Sequence, residues 1–233
     1  MVQSIRKPVL YAADVSPLAD KVLYASAYRL ASSLRREKAD RFRFDKDKRL
    51  CLGAGLLLRY GLRAAGLAPA AEEIRTGEHG KPFFPDGRIR FSLSHSGDWA
   101  LCALGAFELG CDLEEIRPID LKLGQRFHPL EYTDILSGDT EEERLKLFYR
   151  CWTLKESFMK ATGLGMALPL DGFLIRRDGG ITVNQTVDER TYSFREFEDI
   201  PGFCCALCGA GDCSGAELQI VSVIDLLESE VRG

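Results

Sequence analysis

The chain has 233 residues, 45% of them hydrophobic and 28% charged, a composition that suits a globular protein with an ample core, built as one large domain or two small lobes. Its net charge of −4 argues against a general affinity for nucleic acid. The most apolar run, LCLGAGLLLRYGLRAAGLA, is interrupted by Arg59 and Arg63 and is too short to span a bilayer.

The opening residues, MVQSIRKPVLYAADV, hold no long apolar core behind their basic residues, so a secretory signal is not expected and a cytoplasmic, soluble protein is. From Arg29 to Arg49 nine Lys or Arg face four Asp or Glu. A basic island in a mildly acidic protein suits a small polyanion, although a solvated helix face of mixed charge is the commoner meaning of such a run. The segment LRREKADRFRFDKDKRLCLGAGLLLRYGL is predicted helical.

GEHGKPFFPDGRIRFSLSHSGDWALCALG alternates and carries turn signals, so it is predicted to form strands. Within it Lys81 is held between Gly80 and Pro82, a rigid presentation of one cation, with a plain loop lysine as the alternative. His95 lies among Ser94, Ser96 and Gly97, which predicts a tight turn with an exposed imidazole able to hydrogen-bond a phosphate. A Ser-His hydrolase pair is disfavoured there, because such triads are assembled across a fold and not from neighbours in a turn.

In GCDLEEIRPID, Asp112 and Glu114 leave the same face of a strand. Carboxylates so paired can hold Mg²⁺, which prefers oxygen ligands and keeps waters beside substrate phosphates. An exposed strand end with ordinary acids is the plainer alternative. The stretch from Glu131 to Glu143 then holds six acids and no base.

EEERLKLFYRCWTLKESFMKATG is predicted helical, ending at Gly163 as a C-terminal glycine stop. Residues four apart share a helix face, so Glu156 points the same way as Trp152 and Lys160. A surface ion pair would contribute only about 0.2–0.5 kcal/mol; the sharper alternative aims the carboxylate and the ammonium into a phosphate- and metal-binding cleft. Trp152 and the Met159 side of the helix are expected in the core. Two further strand regions follow, DGFLIRRDGGITVNQ and TYSFREFEDIPGFCCALCG. On a strand Cys205 and Cys208 face opposite ways, and Cys204 and Cys208 lie roughly 13 Å apart. The eight cysteines are therefore read as small core residues and not as a zinc site or a disulfide framework.

Helix followed by antiparallel strands occurs twice, which predicts an α+β fold. We expect a pseudo-dimer of two similar lobes, residues 1–110 and 111–233, each a small antiparallel sheet packed with a long helix. The cleft between lobes is the expected active site.

GCDLE at Gly110–Glu114 and WTLKESFMK at Trp152–Lys160, with GKP at Gly80–Pro82 and the SHSG turn at Ser94–Gly97, resemble the 4′-phosphopantetheinyl transferases of the larger, surfactin-synthetase-activating type. REKADRF near Arg36, LEYTDIL at Leu130 and LPLDGF at Leu168 extend the resemblance along most of the chain. It implies a monomer that moves the phosphopantetheine arm of coenzyme A to a serine of an apo acyl or peptidyl carrier protein, releasing 3′,5′-ADP. It further implies that Asp112, Glu114 and Glu156 hold Mg²⁺ on the pyrophosphate, that Lys160 steadies the phosphates, and that Lys155 is a neighbouring cation. Ser94, His95, Lys81, Lys38 and Arg35 match coenzyme A contacts, Cys51 stands where relatives can offer a hydroxyl, and Glu131 matches an acid near the cleft. Glu156 is the choice for the base that takes the serine proton. Two rivals use the same residues. One is a Mg²⁺-dependent coenzyme A or nucleotide pyrophosphate hydrolase, which needs no carrier; the other is a binding module without catalysis.

Overall fold

The computed structural model describes residues 7–67 and 73–229. Strand β1 (Val9–Asp14) leads to α1 (Lys21–Leu30), whose start is capped by the Asp20 carboxylate accepting from the amides of Val22 and Leu23. The basic stretch expected as one helix is two, α2 (Ser33–Asp40) and α3 (Asp45–Ala64). Ser32 caps α2, and the extended backbone of Phe44 (φ −99°, ψ 138°) breaks the run before α3, where Asp45 and Asp47 occupy the first turn and suit the positive end of the helix dipole.

A small hairpin of β2 (Arg75–Thr76) and β3 (Pro82–Phe83) carries the GKP turn. Three longer strands follow, β4 (Arg90–Ser96), β5 (Trp99–Gly105) and β6 (Leu109–Glu115). Helix α4 (Pro129–Leu136) begins with a capping box between His128 and Glu131. Helix α5 (Glu141–Thr162) begins with another, between Thr140 and Glu143, and stops at left-handed Gly163 (φ 81°). The remaining elements are β7 (Leu174–Arg176), β8 (Thr182–Asn184), β9 (Ser193–Phe197), β10 (Phe203–Gly209), β11 (Glu217–Ile220) and α6 (Val223–Ser229).

The fold is α+β. One sheet has the order β11-β1-β5-β4, a second β6-β10-β9, and two short hairpins stand apart. Alternation within strands divides the core. Tyr11 and Ala13 of β1 and Ala100, Cys102 and Leu104 of β5 pack beneath α3, while Leu10, Ala12, Leu101 and Ala103 join Leu113, Cys205 and Leu207 in a cluster shared by the two sheets. The other face of β10, with Cys204, Ala206 and Cys208, packs beneath Leu154 and Phe158 of α5. All eight cysteines are free and buried.

Dividing the chain at residue 110 would leave everything after it in one unit. Residues 217–229 depart from that. β11 pairs parallel to β1, Val9 opposite Glu217, and Val223, Leu226 and Leu227 of α6 join the cluster under α3. Among the described residues no helix is long and apolar enough to cross a membrane.

Candidate active site

The edges β4 and β6 meet along a row of hydroxyls. FSLSHS sends Ser92, Ser94 and Ser96 to one face of β4, and all three are buried. Ser92 Oγ accepts from the Cys111 amide at 3.0 Å, and Ser94 Oγ donates to Asp112 Oδ1 at 2.7 Å. Ser96 Oγ donates to Glu114 Oε2 at 2.7 Å and accepts from the Glu115 amide at 3.1 Å. The acidic strand is thus held to its neighbour by side chains. Of these three, Ser94 alone was singled out from sequence; the period-two serines between apolar residues were the available signal.

Helix α5 lies directly against β6. A Cβ on Gly110 would collide with the Ser157 carbonyl and sit 2.5 Å from the Ala161 nitrogen, so the glycine permits this approach. From α5 the Lys160 ammonium reaches the seam, 2.6 Å from Asp112 Oδ1, 3.1 Å from Ser94 Oγ and 3.2 Å from the Cys111 carbonyl. Burial works against the charge on Lys160, but Asp112 and its neighbours outweigh it and raise the pKa above 10.5. Asp112 Oδ2 is buried without a hydrogen-bond partner. Burial raises the pKa of Glu114 against the opposing Ser96 hydrogen bond. It also raises that of Glu156, with Asp112 adding and Lys160 opposing.

These groups line a cavity of about 690 Å³, bounded on another side by Arg35 and Lys38 of α2 and by the turn His79–Pro82. The imidazole of His95 borders the same space; loss of water, then the nearby Lys160 and Lys38 charges, lower its pKa below 6.5. Arg35, Lys38, Lys81, Ser94, His95, Asp112, Glu114, Glu156 and Lys160 therefore come together from five regions of the chain. Among the described residues no three His, Cys, Asp or Glu side chains form a ready-made metal cluster.

Several expectations need correction. Lys155 does not reach the cavity: it is fully buried on another side of α5, paired with Glu131 at 2.8 Å and hydrogen-bonded to the Phe173 carbonyl at 2.9 Å. Glu131, expected near the cleft, is its buried partner. Trp152 is half-buried and borders the cavity, its indole packed on Phe127 and Phe148, as the four-residue spacing to Glu156 requires. Lys81 borders the cavity, but its ammonium is engaged by Glu108 and by two carbonyls. Cys51 lines the wall beside Arg35 and presents a thiol there, its Sγ 3.9 Å from the Arg35 carbonyl.

The family model of the 4′-phosphopantetheinyl transferase superfamily matches residues 108–208, the span from β6 through α5 to β10. The chain is 34% identical over 198 residues to 4′-phosphopantetheinyl transferase Sfp of Bacillus subtilis, covering 83% of this chain and 88% of the relative. The chain belongs to the Sfp-type 4′-phosphopantetheinyl transferases. The likeness runs nearly end to end against the transferase psf-1 of Bacillus pumilus, 31% identical over 94% of this chain and 97% of that one. The transferase gsp of Aneurinibacillus migulanus is 32% identical over 84% of this chain. In this transferase the matched span carries Asp112, Glu114, Glu156 and Lys160, and the basic wall of α2 is supplied by the chain before it.

Proposed function

We propose that this transferase passes the 4′-phosphopantetheine group of coenzyme A to a serine hydroxyl of an apo acyl or peptidyl carrier protein, releasing 3′,5′-ADP. The observation that carries this reading is one cavity lined both by three carboxylates and Lys160 and by the basic side chains of Arg35, Lys38 and His95. A diphosphate at the seam and a further phosphate against the α2 wall would match that division of charge.

Phosphoryl transfer depends on charge neutralisation and in-line positioning more than on covalent chemistry. Lys160, fixed by Asp112, Ser94 and the Cys111 carbonyl, is a pre-placed positive charge beside the diphosphate. Asp112, Glu114 and Glu156 are hard oxygen donors suited to Mg²⁺. The unpartnered Asp112 Oδ2 gives such an ion a buried acceptor. Mg²⁺, when bound, supplies further neutralisation of the phosphates. Glu156, raised above the ordinary glutamate value by burial, suits the removal of a proton from the carrier serine.

The finer architecture belongs to the same reading. α3 on the first sheet and α5 on the second support two similar lobes. Eight reduced, buried thiols support a reducing compartment such as the cytoplasm. Arg117, Lys122, Arg126 and Lys146 are exposed, and their charge suits the acidic surface of a carrier.

Intact-mass analysis of a panel of apo carriers with coenzyme A and Mg²⁺ tests the proposal. The expected result is a gain of one phosphopantetheine, abolished by Glu156→Gln. Release of 3′,5′-ADP from coenzyme A alone, with no carrier gaining mass, would overturn it in favour of hydrolysis.

A further inference from the structure

Lys81 borders the cavity on the GKP turn, where a cation that binds coenzyme A would be placed. Its ammonium has no donor left for that task. It donates to Glu108 Oε2 at 2.9 Å, to the Leu109 carbonyl at 3.1 Å and to the Ala161 carbonyl at 3.3 Å. A lysine ammonium carries three N–H bonds, so these three acceptors exhaust it. The side chain is 17% exposed, which leaves little surface to reach outward.

The acceptors come from segments that the active site requires to stay together. Leu109 begins β6, three residues before Asp112. Ala161 lies in the last turn of α5, directly after Lys160, where helix carbonyls lack intrahelical partners and a positive charge is favoured. Glu108 is held from its other side by Arg90, whose Nε lies 2.7 Å from Oε1. The Lys81 stem itself runs past the helix end, where a Cβ on Gly163 would lie in ordinary contact, 3.6 Å from Lys81 Cδ.

We propose that Lys81 is a positioning residue and not a coenzyme A contact: it latches the start of β6 to the end of α5 and so fixes the approach of Lys160 to Asp112. The catalytic consequence rests on the transferase reading above, whereas the latch itself does not. When the latch is released the helix end and the strand start separate, and Lys160 loses its fixed place beside the phosphates.

The test compares Lys81→Met, Glu108→Gln and the double variant, first by amide hydrogen exchange without coenzyme A. Exchange across residues 108–113 and 157–165 is expected to rise several-fold in each single variant, and no further in the double variant. Glu108→Gln keeps side-chain shape, and Glu108 itself does not line the cavity, so this variant judges the latch even should Lys81→Met fail to fold. In transfer assays at low temperature, kcat for Lys81→Met is expected to fall about tenfold or more through misplacement, with KM for coenzyme A unchanged. Unaltered exchange in the ligand-free variants, together with weaker coenzyme A binding and a shallower salt dependence, would overturn the latch and make Lys81 a phosphate contact. Should the parent protein modify no carrier, the transferase reading falls, while the exchange data still decide the latch.

Discussion

The Lys155 ammonium lies 2.8 Å from Glu131 Oε2, with the two side chains 0% and 3% exposed. It also stands 3.9 Å from the Phe173 ring centroid. Glu131 in turn accepts from the His128 amide at 3.0 Å and the Ile175 amide at 2.7 Å, so one buried pair ties α5 to the start of α4 and to β7. With Lys155 anchored inward, the next residue stands about 100° further round the helix, and Glu156 turns to the cavity.

Lys155→Met would leave the Glu131 carboxylate buried without its cation, which costs about 3 kcal/mol. For a chain of this size that lowers Tm by about 6–12 °C, measurable by calorimetry. Adding Glu131→Gln should recover part of the loss, because the amide oxygen still accepts from the backbone. KM for coenzyme A should not change. A variant with parental Tm and a raised KM would move Lys155 to the ligand.

Ser96→Ala removes the hydroxyl that orients Glu114 and accepts from the Glu115 amide. Outer hydrogen bonds of this kind are worth about 10–100-fold in metal affinity. The Mg²⁺ needed for half-maximal transfer should rise by that factor, and direct Mn²⁺ titration of the protein should weaken in parallel. Unchanged Mn²⁺ affinity would remove Glu114 from the metal-holding set.

Glu108 supplies a pH dependence. Burial alone would raise its pKa, but the Lys81 hydrogen bond and the Lys81 and Arg90 charges outweigh burial and hold it below 4.5. A carboxyl depressed in the folded state binds fewer protons there than in the unfolded chain. Its contribution is therefore complete above the unfolded value and is lost as pH falls through the folded one. Between neutral pH and that acid range, Tm of the parent should fall more steeply than Tm of Glu108→Gln. Parallel curves would show that the carboxylate contributes nothing there.

Spacing made much of the site legible. Asp112 and Glu114 on one strand face, and Trp152, Glu156 and Lys160 on one helix face, follow from periods of two and of 3.6. What spacing could not assign was the direction of a charge with a distant partner. Lys155 reads as a surface or cleft residue because lysines are almost never fully buried unless paired, and its partner Glu131 is remote in sequence. Lys81 is similar, since its acceptors Leu109 and Ala161 are backbone carbonyls that carry no mark in the sequence. The return of β11 to β1 was equally hidden, because it pairs the two ends of the chain.

Gly110 shows how a legible motif can conceal its physical reason. The GCDLE stretch draws attention to its acids, yet the glycine determines how closely β6 approaches α5. Its φ is not positive, so alanine meets no backbone strain, and the cost is collision alone. The obstructing atoms are the Ser157 carbonyl and the Ala161 nitrogen, which are helix backbone and cannot rotate aside, with Lys160 Cβ 2.6 Å away. Gly110→Ala should therefore reach the upper end of overpacking costs, about 3 kcal/mol, and lower Tm by about 6–12 °C. Because the collision pushes on the turn that bears Lys160, kcat should fall up to about a hundredfold even at temperatures where the variant is folded. KM for coenzyme A should change far less, since Arg35 and Lys38 belong to α2. Parental Tm and kcat in this variant would mean that β6 and α5 do not touch at Gly110, and the placement of Lys160 against Asp112 would fall with that contact.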